Sequence, residues 1–493
     1  MEIITIVLFL FLALGIAACM MIRDTATILK IPVVSSSLVA AATVLLAFCF
    51  FNSGACGLFG NNFLIDSLAL YHIVLVNVIF LISSIYATGY FAHRQASGEL
   101  TVAYIRRYSM LWQTFQALLL LVLLSNNIGF MWIAIEATTL VSAFLIITDS
   151  DALSIEAMWK YLLICSIGIV FAFMGTILTV AAARNMQASN AGYLFSELIR
   201  HPNLIDPKLM LFAFIFIAVG FGTKAGLSPM HTWLPDAHSQ APTPVSAVFS
   251  CVMLNCALFC IMRYLPITEA AMGHDGQAHS ILLLFGFLSL IFAAVFIPIQ
   301  HDMKRLLAYC SVEHMGIIAI GLGLGGLGVF AALLHVTNHS LSKGLAFFSA
   351  GHIGDYYGTR DMRQITAAAR RMPWWGGVFF VSMLVLIGVA PFSVFFSEFL
   401  IAKEAFFTHR YLVFCLFLFS ALAIFISALR QTMGVSFGNE PSLAKAHENI
   451  RTIDKYVIVI CMAILLLLGL WIPSPFADFL KNSASIIENG VKL

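Results

Sequence analysis

The chain has 493 residues, 61% of them hydrophobic and 10% charged, with a formal net charge of +2 at pH 7. Soluble domains carry about 25% charged residues, so this composition excludes a soluble globular protein and points to an all-α polytopic membrane protein. No nucleic-acid partner is expected, and the bilayer itself is the first predicted partner.

A spanning helix needs about 20 apolar residues. About fourteen such segments follow one another, at 3–22, 31–51, 66–91, 109–125, 127–147, 158–182, 208–234, 241–264, 279–299, 304–322, 325–352, 374–403, 410–437 and 455–475. The first begins Met1-Glu2, with no basic region and no small-residue cleavage site, so it is expected to be retained. The second and third are separated by polar FNSGACGLFGNN.

The fifth segment carries Glu136 about nine residues from its polar start. A carboxylate at that depth needs a partner to stay ionised. The seventh segment carries Lys224, within GFGTKAGLSPMHTWLP. A lysine near the middle of a span costs about 2.5–3.5 kcal/mol on insertion scales, so such residues are rare and functional. Pro229 breaks the same span five residues later, because proline removes a backbone donor and clashes with the preceding turn. Lys224 is the natural ion-pair partner for Glu136. Downstream, His231 and His238 flank a proline-rich loop and are assigned to a cytoplasmic mouth. The eighth segment, AVFSCVMLNCALF, offers only Ser250 and Asn255, which hold water but do not titrate.

The tenth segment holds Glu313 and His314 near its start, read either as a local charge pair or as a proton entry. GLGLGGLGVF then reads as a tight turn between two apolar helices rather than a nucleotide loop. The eleventh segment contains HVTNHSLSKGLAFFSAGH. His335, His339 and Lys343 are spaced four apart, so they line one helix face. Neutral imidazole both donates and accepts, so such a row can hold water and pass protons. In the twelfth segment Pro391 interrupts the span and Glu398 follows, repeating the design around Lys224. Lys403 either extends the path or snorkels to the interface. GTRDMRQITAAARRM is either a short basic surface helix or a solvated loop.

Two interrupted spans in corresponding positions suggest two inverted five-helix repeats, each containing a broken helix. The expected organisation is 1–105 for helices 1–3, 106–265 for helices 4–8, 279–438 for helices 9–13, and 439–493 for helix 14 and a tail. No lateral C-terminal helix is expected. One set of loops carries sixteen basic residues and the other seven, so the positive-inside rule places both termini on the outer face of a bacterial or archaeal cytoplasmic membrane. Three basic residues remain for the membrane: Lys224, Lys343 and Lys403. The ten cysteines include no CxxC pair and read as apolar packing residues, so neither a metal site nor an iron–sulfur cluster is expected in this chain.

GTKAGLSPMHTWLPDAHSQAPTPVSA resembles the signature of the antiporter-like subunits of respiratory complex I, Mrp antiporters and membrane-bound [NiFe]-hydrogenases. The resemblance continues through QHDMKRLLAYCSVEHMGII, NHSLSKGLAFFSAGHI and GVAPFSVFFSEFLI, roughly residues 105–435. SVEHMG and NHSLSKGLAFF look most like the component F branch of hydrogenase-4, found in formate hydrogenlyase-like complexes. The resemblance implies fourteen helices and proton translocation driven by a redox module elsewhere. It implies proton-path roles for Glu136, Lys224, His335, His339, Lys343 and Glu398. It also implies a hetero-oligomer with other antiporter-like and quinone-subunit-like membrane subunits and a soluble hydrogenase module, whose [NiFe] and iron–sulfur centres lie in those partners. Many relatives place a lysine or histidine in helix 8, and this sequence departs from that pattern. The sequence thus supports a non-catalytic, proton-translocating subunit of an oxidoreductase complex. Cation/proton antiport and a non-pumping membrane anchor are the alternatives.

Overall fold

The structure is a computed structural model that describes residues 1–96, 98, 100–147, 151–189, 191–438 and 450–491. Lys445 and Lys492, both counted in the loop charges, lie outside the described residues. The first part of the chain forms α1 (Glu2–Met21), α2 (Thr25–Ser53), β1 (Cys56–Leu58), β2 (Phe63–Ile65), α3 (Ser67–Ala96) and α4 (Val102–Leu124). There follow α5 (Ile128–Ile146), α6 (Ala152–Ala182), α7 (Phe195–Arg200) and α8 (Pro207–Ala225). Next come α9 (Trp233–Gln240), α10 (Thr243–Val248), α11 (Leu254–Ala271), α12 (Gln277–Phe296), α13 (Met303–Leu324) and α14 (Leu327–Tyr357). The last are α15 (Ala368–Arg371), α16 (Pro373–Leu386), α17 (Ser393–Phe407), α18 (Tyr411–Phe437), α19 (Thr452–Leu470) and α20 (Ser474–Asn489).

Among the described residues, twelve helices are long and apolar enough to cross a membrane. The two further expected segments are α14, whose buried polar face lowers its hydropathy, and the broken pair α16–α17. Both predicted breaks are present. α8 ends at Ala225, Gly226 follows at φ 76°, and the chain resumes as a helical turn after Pro229. α16 and α17 are separated by Gly388, at φ 72°, and Pro391. Polar side chains start several of the helices by accepting from free backbone donors. Asp24 accepts from Thr27 N at 2.9 Å, Asn127 from Gly129 N at 2.9 Å and Asp302 from Arg305 N at 2.9 Å.

The chain divides into two compact units. The first comprises Met1–Ala225, Val252–Ile281 and Asp478–Leu493. Its tightest seam joins α6 to α8, where small residues let backbones approach, the usual device for helices in lipid. A Cβ on Gly168 would stand 2.5 Å from Thr223 Cβ, and one on Gly220 would stand 2.3 Å from Ala172 N. FNSGACGLFGNN ends α2 and supplies β1 and the turn into β2, with Gly57 paired to Leu64. The tail after α19 forms the short helix α20. Its buried positions Leu480, Ser483, Ala484 and Ile487 repeat at helical spacing, a periodicity too short to read as a span.

Arg263 corrects the charge count. It sits inside the candidate span Thr243–Ala271 rather than in a loop, 5% exposed, and donates to Asp66 through both terminal nitrogens. Removing one partner of a buried pair leaves the other charge uncompensated, at about 3–5 kcal/mol. Arg263→Ala is therefore expected to lower the melting temperature and membrane yield sharply, and Asp66→Asn, Arg263→Gln to recover much of the loss. Equal stability of the wild type and Arg263→Ala would refute this.

The second unit comprises Gly226–Cys251 and Leu282–Ala477. Glycines again set its spacing: a Cβ on Gly286 would lie 2.8 Å from Gly316 O, and one on Gly328 would lie 2.6 Å from Gly321 O. GLGLGGLGVF is a tight turn between α13 and α14, with Gly325 at φ 76° and Gly326 at φ 52°. The GTRDMRQITAAARRM segment is an irregular connector in which only Ala368–Arg371 is helical. A Phe249–Met253 turn is π-helical, and its Cys251 carbonyl accepts from Ser340 Oγ at 2.6 Å. Such turns free a backbone group and recur at functional positions.

Candidate proton-path sites

In the first unit Lys224 occupies the last turn of α8 and is wholly buried. Its ammonium donates to Thr139 Oγ1 on α5 at 2.7 Å and to Tyr161 OH on α6 at 2.7 Å. It also lies 5.0 Å from the centre of the Tyr161 ring, a cation–π distance. Tyr161 OH stands 2.5 Å from Ser142 Oγ, and Ser142 Oγ donates to Thr138 O at 2.5 Å. Bond directions follow. Lys224 donates to Tyr161, Tyr161 to Ser142, and Ser142 to the backbone.

The expected direct ion pair between Glu136 and Lys224 is absent among the described residues. Thr139 and Ser166 lie beside the Glu136 carboxyl, and one Glu136 oxygen has no hydrogen-bond partner. The reason is packing. The close α6–α8 seam brings Tyr161 to the lysine, and Thr139 lies one turn beyond Glu136 on the same face of α5. The hydroxyls therefore take the ammonium donors, and Glu136 acts on Lys224 through space. Tyr161 was missed in the sequence because an aromatic in an apolar run carries no signal of what its hydroxyl meets.

The second unit brings together residues from three helices. His335, His339 and Lys343 of α14 are each fully buried. His314 Nδ1 and His335 Nε2 are 2.8 Å apart, and His335 Nδ1 lies 2.9 Å from Ser397 Oγ on α17. Ser397 donates to Val394 O at 2.9 Å. His335 therefore donates to Ser397 from Nδ1 and accepts from His314 at Nε2. The His339 ring is centred 5.0 Å from that of His314. Donor atoms of His314, His335 and Glu398 all lie within 4.8 Å of one another. Gly388 makes room for Glu398, since a Cβ there would stand 2.3 Å from the carboxylate oxygen. Among the described residues, His314 Nε2, both His339 nitrogens and Asn338 Oδ1 are buried without a hydrogen-bond partner.

Lys343 donates to Leu307 O at 2.6 Å and is attracted by the buried carboxylate of Glu313. Glu313 and His314 are thus buried members of the Lys343 and His335 surroundings, not an interfacial charge pair at the cytoplasmic edge. Their burial by α14 and α17 could not be read from α13 alone. His231 and His238 are also buried. His231 pairs with Ser228 Oγ at 2.9 Å, and His238 faces Ser246 O at 3.2 Å. Ser250 Oγ and Ser311 Oγ are 2.8 Å apart in this unit. Asn255 is buried in the first unit. Lys403 is exposed, with its ammonium 5.8 Å from the Phe407 ring centre, and stands outside the histidine cluster.

A hydrogenase-4 component F homolog of Methylacidiphilum infernorum (isolate V4) is 39% identical over 385 residues, 77% of this chain and 80% of that protein. Hydrogenase-4 component B of Escherichia coli (strain K12) is 29% identical over 345 residues, 68% of this chain and 49% of that longer protein. A chain of the membrane-bound sulfane sulfur reductase, an archaeal respiratory membrane complex, has the same fold. The TM-score is 0.87 at 20% identity, over 99% of this chain and 98% of that one. A chain of the Mrp complex from Dietzia sp. DQ12-45-1b matches with a TM-score of 0.81 at 17% identity, over 99% and 98%. Residues 125–427, more than half of the sequence, match the family described as NADH:quinone oxidoreductase/Mrp antiporter, transmembrane. The chain belongs to that family of antiporter-like membrane subunits.

Proposed function

We propose that this chain is the proton-translocating subunit of a membrane-bound [NiFe]-hydrogenase complex of the hydrogenase-4, formate hydrogenlyase-like type. The observation that carries the reading is a wholly buried lysine in each unit, Lys224 and Lys343, held by neutral oxygen atoms with a carboxylate acting on it at a distance. A lysine held this way has no ion-pair partner locking it to one protonation state. Moving a nearby charge changes its hold on the proton. Transporting one charge against 100 mV takes about 2.3 kcal/mol, and breaking or making a partly buried charge interaction is of comparable size.

In the first unit Glu136 modulates Lys224, and Tyr161 and Ser142 carry the hydroxyl chain. In the second, the proton moves among Lys343, the His314–His335 pair and Glu398. Buried polar atoms without a protein partner are ordinarily satisfied by ordered water, and the free nitrogens of His339 make it a water-bridging member of this set. The redox reaction and its [NiFe] and iron–sulfur centres belong to partner subunits, alongside other antiporter-like and quinone-subunit-like membrane chains. The hydrogenase-4 assignment rests on the 39% identical relative. Its membrane is the bacterial or archaeal cytoplasmic membrane with both termini outside, as the loop charges favour. The two interrupted spans form the centres of inverted repeats.

Mrp-type Na+/H+ antiport is the second reading, favoured by the shared fold. The assembled complex in proteoliposomes is expected to acidify or alkalinise the lumen during redox turnover equally in sodium and in choline medium. Strict dependence on sodium would replace the proton pump by antiport, and turnover without any pH change would replace both by a membrane anchor.

A further inference from the structure

We propose that the second unit carries a specific site for an anionic phospholipid headgroup, at the groove where α12 runs into the Ile297–Ile299 turn beside α18. The groove encloses a cavity of about 390 Å³ lined by Pro298, His301, Arg363, Ile426, Arg430 and Gln431, among others. Its position in the membrane follows from α18 itself. Phe419, Leu422, Ile426 and Met433 are all exposed, at 72%, 58%, 57% and 44%. They lie three, four and seven residues apart in turn, which keeps them on one helix face and makes a lipid-facing stripe. Arg430 lies on this same stripe, one turn beyond Ile426 and seven residues before the helix ends.

An arginine on a lipid-facing stripe near a helix end needs an anionic partner or water. Arg430 is exposed and has no ion-pair or hydrogen-bond partner among the described residues. Near the groove, Val295 at the end of α12 and Ile299 in the turn after it add exposed apolar surface, 58% and 59% exposed. Gln431 Nε2 ties the two walls, donating to Ile297 O at 2.9 Å and Pro298 O at 3.1 Å. The groove therefore sets one uncommitted arginine beside an exposed apolar stripe, which matches a phosphate attached to acyl chains and not a free ion.

The charges around the groove set its strength. Arg363 is committed to Asp361, its nitrogens donating at 2.7–3.2 Å. The Arg363 hydrogen bonds hold the Asp361 carboxyl down at about 2, so that pair stays ionised and mutually neutralised. Among the described residues, Arg430 is left as the uncompensated cation of this groove. Basic pockets between membrane helices are known to take anionic headgroups on this principle.

The test uses the assembled, delipidated complex, with bound lipid counted by native mass spectrometry after adding phosphatidylglycerol or phosphatidylcholine. The wild type is expected to retain phosphatidylglycerol in preference to phosphatidylcholine. Arg430→Gln should lose that preference by about fivefold, and Arg430→Lys should keep most of it. A photoactivatable phosphatidylglycerol should label wild-type peptides containing Ile426 and Arg430, which serves if the glutamine variant fails to assemble. Unchanged preference in Arg430→Gln overturns the site. Displacement of the lipid by millimolar inorganic phosphate would make it a free-phosphate site. Crosslinks from Ile426 to another subunit instead of lipid would make it a protein interface.

Discussion

Lys224→Met is expected to abolish proton movement by the assembled complex while redox turnover continues. Methionine approximates the length of the lysine stem, so the α6–α8 seam should close around it. The hydroxyls it leaves behind are not stranded: Tyr161 keeps Ser142 at 2.5 Å, and Thr139 keeps Ile135 O at 3.5 Å. What disappears is the one group in this cluster whose ordinary form at neutral pH is cationic. Removing the group that accepts and releases the proton should reduce pumping by about 100-fold or more, the scale of an acid–base contribution.

Tyr161→Phe supplies the graded comparison. It retains the ring under the ammonium but deletes one hydrogen bond to a charged group, worth about 1.5–3 kcal/mol. Pumping should persist in this variant with a displaced pH profile. Uptake of protons at the wild-type rate in a fully assembled Lys224→Met complex would remove Lys224 from the mechanism.

Glu398→Gln carries the second large effect, in the other unit. Glutamine keeps the shape, so it still fits against Gly388, but it does not exchange a proton. Donor atoms of His314, His335 and Glu398 lie within 4.8 Å of one another, and the Glu398 carboxyl is the acid of that trio. Its loss should stop proton transfer through the second unit by about the same factor as Lys224→Met. Gly388→Ala tests the geometry separately. Its new Cβ would stand 2.3 Å from the carboxylate oxygen at a φ of 72°, so either Glu398 or the backbone must move. The alanine variant should therefore impair pumping while the titratable group remains. Normal pumping in Glu398→Gln, with lipid binding and assembly intact, would confine this carboxyl to a packing role.

Much of the architecture is legible in the sequence, because its causes are local. Lipid requires long apolar helices, so the spans appear in the hydropathy of a single segment. Proline removes a backbone donor and clashes with the preceding turn, so Pro229 and Pro391 mark the breaks, although Pro32 and Pro266 are carried inside α2 and α11. The four-residue spacing of His335, His339 and Lys343 places them on one face through helical geometry alone. The loop charges and the costly intramembrane charges are likewise properties of one stretch at a time.

The partners of those charges were decided only in the tertiary structure. Thr139 and Tyr161 lie 85 and 63 residues from Lys224, and Asp66 lies 197 residues from Arg263. Which side chains meet depends on how closely helices approach. That is set by glycines such as Gly168 and Gly220, whose neighbours no single segment reveals. The same dependence moved His314 from the edge into contact with His335 and turned a supposed Glu136–Lys224 ion pair into a hydroxyl-bound lysine. The sequence by itself determined where the expensive groups are and which helices break. Tertiary packing determined that Lys224 is held by two hydroxyl oxygens, because burial leaves an ammonium no solvent and the nearest oxygens belong to Thr139 and Tyr161.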